Sequence, residues 1–321
     1  MRSRAGLALA VVLPLLLAAT MRGQSPNPPA WAYPVMDAGL ERAPEDGKTF
    51  RVEGSDRAFT MTEINDPFNP PDWYPNEHPA MPPTVAHGRR PNVRACGQCH
   101  MPHGLGHPES SGLAGLSASY IAQQMADYKS GKRKSLVAAR SASMVAIAAD
   151  ATEAEVREAG AYFASLKATK WIRVVETDTV PETYVGFGNM RHAKPNGGRE
   201  PIGQRIIEIP ENSEHAELRD AHSSFVAYVP TGSVARGQAL ATTGGGGKTV
   251  ACGVCHGPAL KGLGDVPALA GRSPIYTVRQ LMDIRLGSRQ GAGAALMTGV
   301  VAKLAEGDML DLAAYLASLE P

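Results

Sequence analysis

Cysteine is scarce in this chain: the four present lie at 96, 99, 252 and 255, in two pairs, and there is no fifth to supply a thiolate elsewhere. Excess charge of either sign is lacking as well. The 32 Lys and Arg against 31 Asp and Glu leave a net charge of +1, which argues against nucleic acid as a partner. The run Gly244-Gly245-Gly246-Gly247-Lys248-Thr249 lacks the glycine that a phosphate-binding loop requires at 242, where Thr242 stands. Cys252 follows it too soon for the helix such a loop opens, so the run is a flexible loop. An apolar stretch long enough for a membrane span is missing too: Ala5 to Thr20 is short, very early and broken by Pro14.

Each cysteine pair belongs to a Cys-x-x-Cys-His motif. Cys96-Gly97-Gln98-Cys99-His100 and Cys252-Gly253-Val254-Cys255-His256 both have the spacing of a c-type haem attachment site. Two thiols three positions apart can each form a thioether to a haem vinyl group, and the histidine after them can turn its imidazole onto the iron. A redox dithiol or half of a zinc site remains as an alternative, although neither needs the histidine. The motifs therefore predict two covalent haem c groups, with His100 and His256 as proximal ligands.

Arg2 and Arg4 before the apolar stretch give residues 1–24 the form of a signal peptide, cleaved between Ala19 and Gln24 or kept as an anchor. Residues 25–84 are rich in proline, as in Asp66-Pro67-Phe68-Asn69-Pro70-Pro71, and cannot sustain helix or central strand. They read as an arm over the first haem unit, anchored by Trp31, Trp73 and Tyr74. Two motifs 156 residues apart in 321 residues predict two small haem domains, at 85–166 and 232–321, joined by a connector at 167–231. Such small domains lean on the porphyrin for apolar surface, so the chain without haem is expected to fold poorly. In the connector, 205–209 and 225–229 are strand-like.

The second domain repeats the first. Tyr276, Gln280, Gly287 and Arg289 lie 156 residues after Tyr120, Gln124, Gly131 and Arg133. After a three-residue deletion, Ala314 to Leu319 repeat Ala161 to Leu166 at an offset of 153. Apolar spacing predicts a helix near 120–128, and Thr152 with Glu155 forms a capping box for the last helix of the first unit.

An iron that carries electrons rather than binding substrate needs a sixth ligand, and thioether sulfur raises its potential. Met101, Met125 and Met144 follow His100; Met282, Met297 and Met309 follow His256. Only Met144 and Met297 correspond, both just before the last helix, so they are the predicted distal ligands. The other four read as packing residues. His78, His87, His103 and His107 compete near the first motif but have no counterparts near the second. Lys129, Lys132, Arg133, Lys134 and Arg140 form either a solvated face or a docking surface for an acidic redox partner.

With these motifs the chain resembles the dihaem c-type cytochromes of the cytochrome c4 kind, over 85–166 and 232–321. The resemblance implies a mainly α fold of two tandem cytochrome c domains, here with a long, partly β or irregular connector and a Pro-rich N-terminal arm. Pro267-Ala268-Leu269-Ala270-Gly271-Arg272 resembles the family's P-x-L-x-G-R segment. This implies that the Pro267 carbonyl accepts the proximal histidine's Nδ1–H and that Arg272 reaches a haem propionate. The first unit has Ser111-Gly112-Leu113-Ala114-Gly115-Leu116 there, so the Ser111 carbonyl is expected to take over and the propionate partner to come from elsewhere. Ala235 to Leu240 resembles a first helix that crosses the last one at a glycine. The resemblance also implies export to the periplasm, electron transfer between redox partner proteins, and no catalysis by the chain itself. A dihaem peroxidase-type enzyme, or the cytochrome subunit of a periplasmic dehydrogenase complex with possible membrane association, is the alternative.

Overall fold

Two sets of helices carry the repeat. In the first, α1 (Ala118–Lys129) begins where the Ser117 hydroxyl accepts the Tyr120 N–H, and it gives way to Gly131, whose φ of 72° turns the chain. After α2 (Ala142–Asp150), Thr152 opens α3 (Glu153–Ser165) with the expected capping box: its hydroxyl accepts the Glu155 N–H and the Glu155 carboxylate accepts the Thr152 N–H. The second set is α4 (Ser233–Thr243), α5 (Pro274–Arg285), α6 (Ala292–Val301) and α7 (Glu306–Ser318). This computed structural model describes residues 28–42 and 45–321, so the signal segment lies outside the described residues.

Helix α4 has no counterpart of its length in the first set. It crosses α7 so closely that a Cβ at Gly237 would lie 1.9 Å from the Asp311 carbonyl oxygen. Its Ala241 carbonyl accepts the Cys252 N–H at 2.8 Å. In the first unit a single turn, Pro83–Ala86, stands in its place: the Thr84 carbonyl accepts the Cys96 N–H, and the Thr84 hydroxyl donates to Glu158 on α3 at 2.6 Å. Val85 on that turn packs with Ile121 and Phe163 in the core of the first unit.

Between the helical sets the chain forms a small mixed sheet. Strand β1 (Ile172–Glu176) runs parallel to β3 (Phe225–Val229), and β2 (Ile207–Pro210) pairs antiparallel on the other side of β3. The sequence places a strand at 205–209, and the ladder begins two residues later. Ile206 is buried ahead of it in the core of the second unit, alongside Val229. β3 is the central strand and is buried almost throughout, as expected where both faces are covered.

The Pro-rich arm reaches further than its sequence suggests. Trp73 and Tyr74 are buried and tie it to the connector, the indole donating to the Leu218 carbonyl at 2.8 Å and the phenol to Asp220 at 3.0 Å. Its first described residues reach the second unit as well, while the Pro34 carbonyl accepts from Arg140 of the first. Trp31 donates to Glu306, and the Tyr33 phenol donates to Asp283 at 3.0 Å among the buried side chains around α5. Among the described residues, no helix is long and apolar enough to cross a membrane.

Candidate haem sites

Each Cys-x-x-Cys-His motif forms one helical turn, Gly97–His100 and Gly253–His256, which sets both sulfurs and the imidazole on one side of the chain. The proximal geometry is the same in both. His100 Nδ1 donates to the Ser111 carbonyl at 2.8 Å and His256 Nδ1 to the Pro267 carbonyl at 2.8 Å. A proton held on Nδ1 leaves Nε2 with its lone pair, as an iron ligand requires. Burial pushes both histidines below their ordinary pKa, with the carbonyl bond opposing it, so both rings are neutral. The residue after each histidine turns left-handed: Met101 has φ 65° and Gly257 has φ 80°.

Over the first motif lies a cavity of about 380 Å3. Cys96, Cys99 and His100 stand on its wall; Met144, Met125, Ile147, Val156 and Phe163 line its apolar part. His78, His87, His103 and His107 do not line it. His78 is bonded to Asp72, while the His107 ring packs edge-on against Phe225. Another part of the cavity wall is polar, with Glu109, Arg133, Arg140 and Arg279. Arg140 Nη1 donates to the Pro34 carbonyl at 3.0 Å, but its Nη2 is buried without a partner. Burial pushes the Arg140 pKa down to about 10, with Arg279 adding to the effect. Burial pushes Glu109 up to about 7, against the pull of Arg140 and Arg279. An apolar slot with two thiols, an imidazole and a guanidinium whose Nη2 has no partner fits a porphyrin that carries two carboxylates.

The second motif has the same donors in a more open setting. Cys255 is exposed, and Met297 is half-buried against the core of the second unit. Met282 and Met309 are fully buried in that core, and Met101 is buried in the first unit. Val254 and Leu263 are 69% and 62% exposed, whereas their counterparts Gln98 and His107 are 7% and 8% exposed. The connector makes the difference: Arg219 donates to the Gln98 carbonyl at 2.6 Å, and Phe225 covers His107.

The two units meet through the very residues that mark the repeat. Arg133 donates to Gln124 of its own unit at 2.9 Å and to Tyr276 and Gln280 of the other at 2.9 and 3.2 Å. Arg289 mirrors it, donating to Gln280 at 2.9 Å and to Tyr120 and Gln124 at 3.0 and 2.9 Å. Arg133 and Arg289 also face each other in an antiparallel bridge, flanked by Lys134 N–H to Ser288 and Gln290 N–H to Lys132. Arg133 is therefore buried in an interface with approximate twofold symmetry, and with Arg140 on the wall of the first cavity the proposed basic docking face is left without two of its members. The shared offset of Tyr, Gln and Arg in the sequence was the signal for this interface. Arg272, expected at a haem propionate, also reaches into the other unit. Its guanidinium donates to the carbonyls of Gly112 at 2.8 Å and Ala114 at 3.1 Å, across the unit boundary.

The cytochrome c family model matches residues 234–320. Cytochrome c-554(548) of Halomonas halodenitrificans is 40% identical over 70 residues, which cover 22% of this chain and 84% of that protein. The chain belongs to the cytochrome c family. A cytochrome c4 of Azotobacter vinelandii is 37% identical over 84 residues, covering 24% of this cytochrome and 40% of the relative. A match of 26% identity over 233 residues, 71% of this cytochrome and 80% of the relative, is to a thiosulfate dehydrogenase electron acceptor of Thiomonas intermedia. The match to the Azotobacter cytochrome c4 thus spans less than half of that relative, whereas the last match covers most of this chain. With two Cys-x-x-Cys-His turns of equal proximal geometry, the cytochrome is of the dihaem, cytochrome c4-like kind and carries two covalent haem c groups.

Proposed function

We propose that this cytochrome is a periplasmic electron carrier in which both irons keep both axial positions filled. Cys96 and Cys99 hold the first haem c, with His100 and Met144 as its ligands; Cys252 and Cys255 hold the second, with His256 and Met297. The haem units are 85–166 and 232–321, between the arm at 25–84 and the connector at 167–231. The observation that carries this is the duplication of the site in register: equal 2.8 Å proximal bonds, and one methionine at the equivalent place before the last helix of each unit.

The haem supplies one-electron chemistry between ferric and ferrous iron. The protein's own groups hold the imidazoles as Nδ1–H tautomers, cover Gln98 and His107 of the first site with the connector, and lock the two units together through Arg133 and Arg289. The exposed Val254 and Leu263 make the second site the side at which redox proteins exchange electrons, because the equivalent face of the first is covered. Ferric spectra of the holoprotein test the ligation: two low-spin six-coordinate haems are expected, and a five-coordinate high-spin ferric haem in the native protein would sink it.

A narrower version makes the chain the cytochrome subunit of a periplasmic dehydrogenase complex. It is favoured by the match over most of the chain to a protein named as a thiosulfate dehydrogenase electron acceptor. Co-purification from the native source separates a bound subunit from a free shuttle. A dihaem peroxidase would need one methionine to leave its iron, and turnover of hydrogen peroxide with a reduced donor would reveal it.

A further inference from the structure

The first unit lacks the proline that stiffens the proximal loop of the second. In both units that loop hangs on one carbonyl: Leu113 and Ala114 N–H donate to Gly104, and Leu269 and Ala270 N–H donate to Leu260. In the second unit the ring of Pro267 also fixes the backbone at the residue whose carbonyl holds His256. Ser111 has no such restraint, yet its carbonyl has the same task for His100.

We propose that Arg272, which belongs to the second unit, is a positioning residue for the first haem: by gripping the carbonyls of Gly112 and Ala114 it fixes the Ser111 carbonyl that orients His100. The two contacts, 2.8 and 3.1 Å long, come from one planar guanidinium and brace the loop on both sides of Leu113. Gly112 makes the approach possible. A Cβ there would lie 3.0 Å from Arg272 Nη1 and 2.9 Å from the Leu105 carbonyl, and the second unit has Ala268 at that position. The support runs one way only, because Leu116 stands where a reciprocal arginine would be. The second unit therefore holds its own proximal histidine and helps to hold the other.

This inference rests on His100 as the proximal ligand. The test is proton NMR of the reduced, diamagnetic holoprotein, following exchange of the two proximal Nδ1–H protons into deuterated solvent. In R272Q and in G112A the His100 proton is expected to exchange at least about tenfold faster, the scale of a lost hydrogen bond to a charged donor, while the His256 proton is unchanged. R272K, which can restore one of the two bonds, should fall in between. If R272Q fails to fold, G112A, which keeps the arginine, decides alone. Unchanged exchange at His100, or equal acceleration at both histidines, overturns the proposal, since a merely structural arginine would move both or neither. A native spectrum with no iron-bound histidine at the first motif would instead overturn the ligand assignment, and the proposal with it.

Discussion

Equivalent residues of the two units sit in opposite surroundings. Gln98 and His107 are buried, whereas Val254 and Leu263, 156 positions later, are open to solvent. The more polar pair is the buried one, so hydropathy within the repeat did not decide exposure. The parts of the chain outside the repeat did: the connector places Arg219 and Phe225 over the first motif, and nothing comparable among the described residues covers Val254 and Leu263. Two copies of one haem-binding plan are thereby made inequivalent, one shielded and one accessible.

Removing a distal ligand should expose the difference between the two sites most strongly. On the proposed ligation, M144A and M297A each lower the potential of one haem, by an amount on the order of hundreds of millivolts given the range axial ligands span. Stopped-flow binding of carbon monoxide to the reduced variants should be faster in M297A, where the site is open, than in M144A. Equal rates would mean that the cover over the first site does not control access.

The cover itself can be loosened. Trp73 is buried edge-on against Phe59, with ring centroids 4.7 Å apart, and its indole holds the connector at Leu218. W73A is expected to cost about 3–5 kcal/mol in denaturant unfolding, the usual loss for a buried aromatic. It should also speed ligand entry in the M144A background while leaving M297A unaffected. An unchanged rate in M144A would show that the arm and connector do not gate the first site.

The symmetric interface predicts near-equality where the sites predict difference. R133Q and R289Q should each cost about 1–3 kcal/mol, because each leaves a glutamine and tyrosine of the opposite unit short of a charged donor. A cost confined to one variant in chemical denaturation would contradict the twofold arrangement.

The smallest effect is a pH dependence. Glu208 on β2 is buried against the start of α5, accepting from Ser273 and from the Ile275 N–H, while its other oxygen has no partner. Burial pushes its pKa from 4.5 up to about 8. A carboxyl raised in this way binds more protons folded than unfolded, so its contribution to stability falls as pH rises between those values. E208Q removes that titration. Its Tm relative to the native protein should therefore climb from pH 5 to pH 8, and a constant gap would show that Glu208 does not stay protonated in the fold.

Much of this was legible in the sequence because it is local. The Cys-x-x-Cys-His turns, the capping box at Thr152, the glycine of α4 and the helix over 118–129 depend on neighbours in the chain. The strands at 207–210 and 225–229 were visible as apolar β-branched runs, though the ladder starts where Ile207 meets Tyr228, which only pairing decides. What escaped were long-range choices by long or amphipathic side chains. Arg133 looked like one of a cluster of surface cations, yet two of its three side-chain acceptors lie more than 140 residues away. Arg272 turned to backbone carbonyls of the other unit, and Trp31 and Tyr33 reached the second unit. Arg140 and Glu109, which line the first cavity, have no motif around them at all. Periodicity shows which side of an element is apolar, but not which distant segment will cover it.

Whether two inequivalent, six-coordinate haems carry the electrons is settled by a redox titration of the holoprotein followed by visible and electron paramagnetic resonance spectroscopy. Two one-electron steps at distinct potentials are expected, with both ferric haems low-spin and six-coordinate and carrying the signature of histidine and methionine ligands. A high-spin five-coordinate ferric haem at either site, or two haems with one indistinguishable potential, would contradict that expectation.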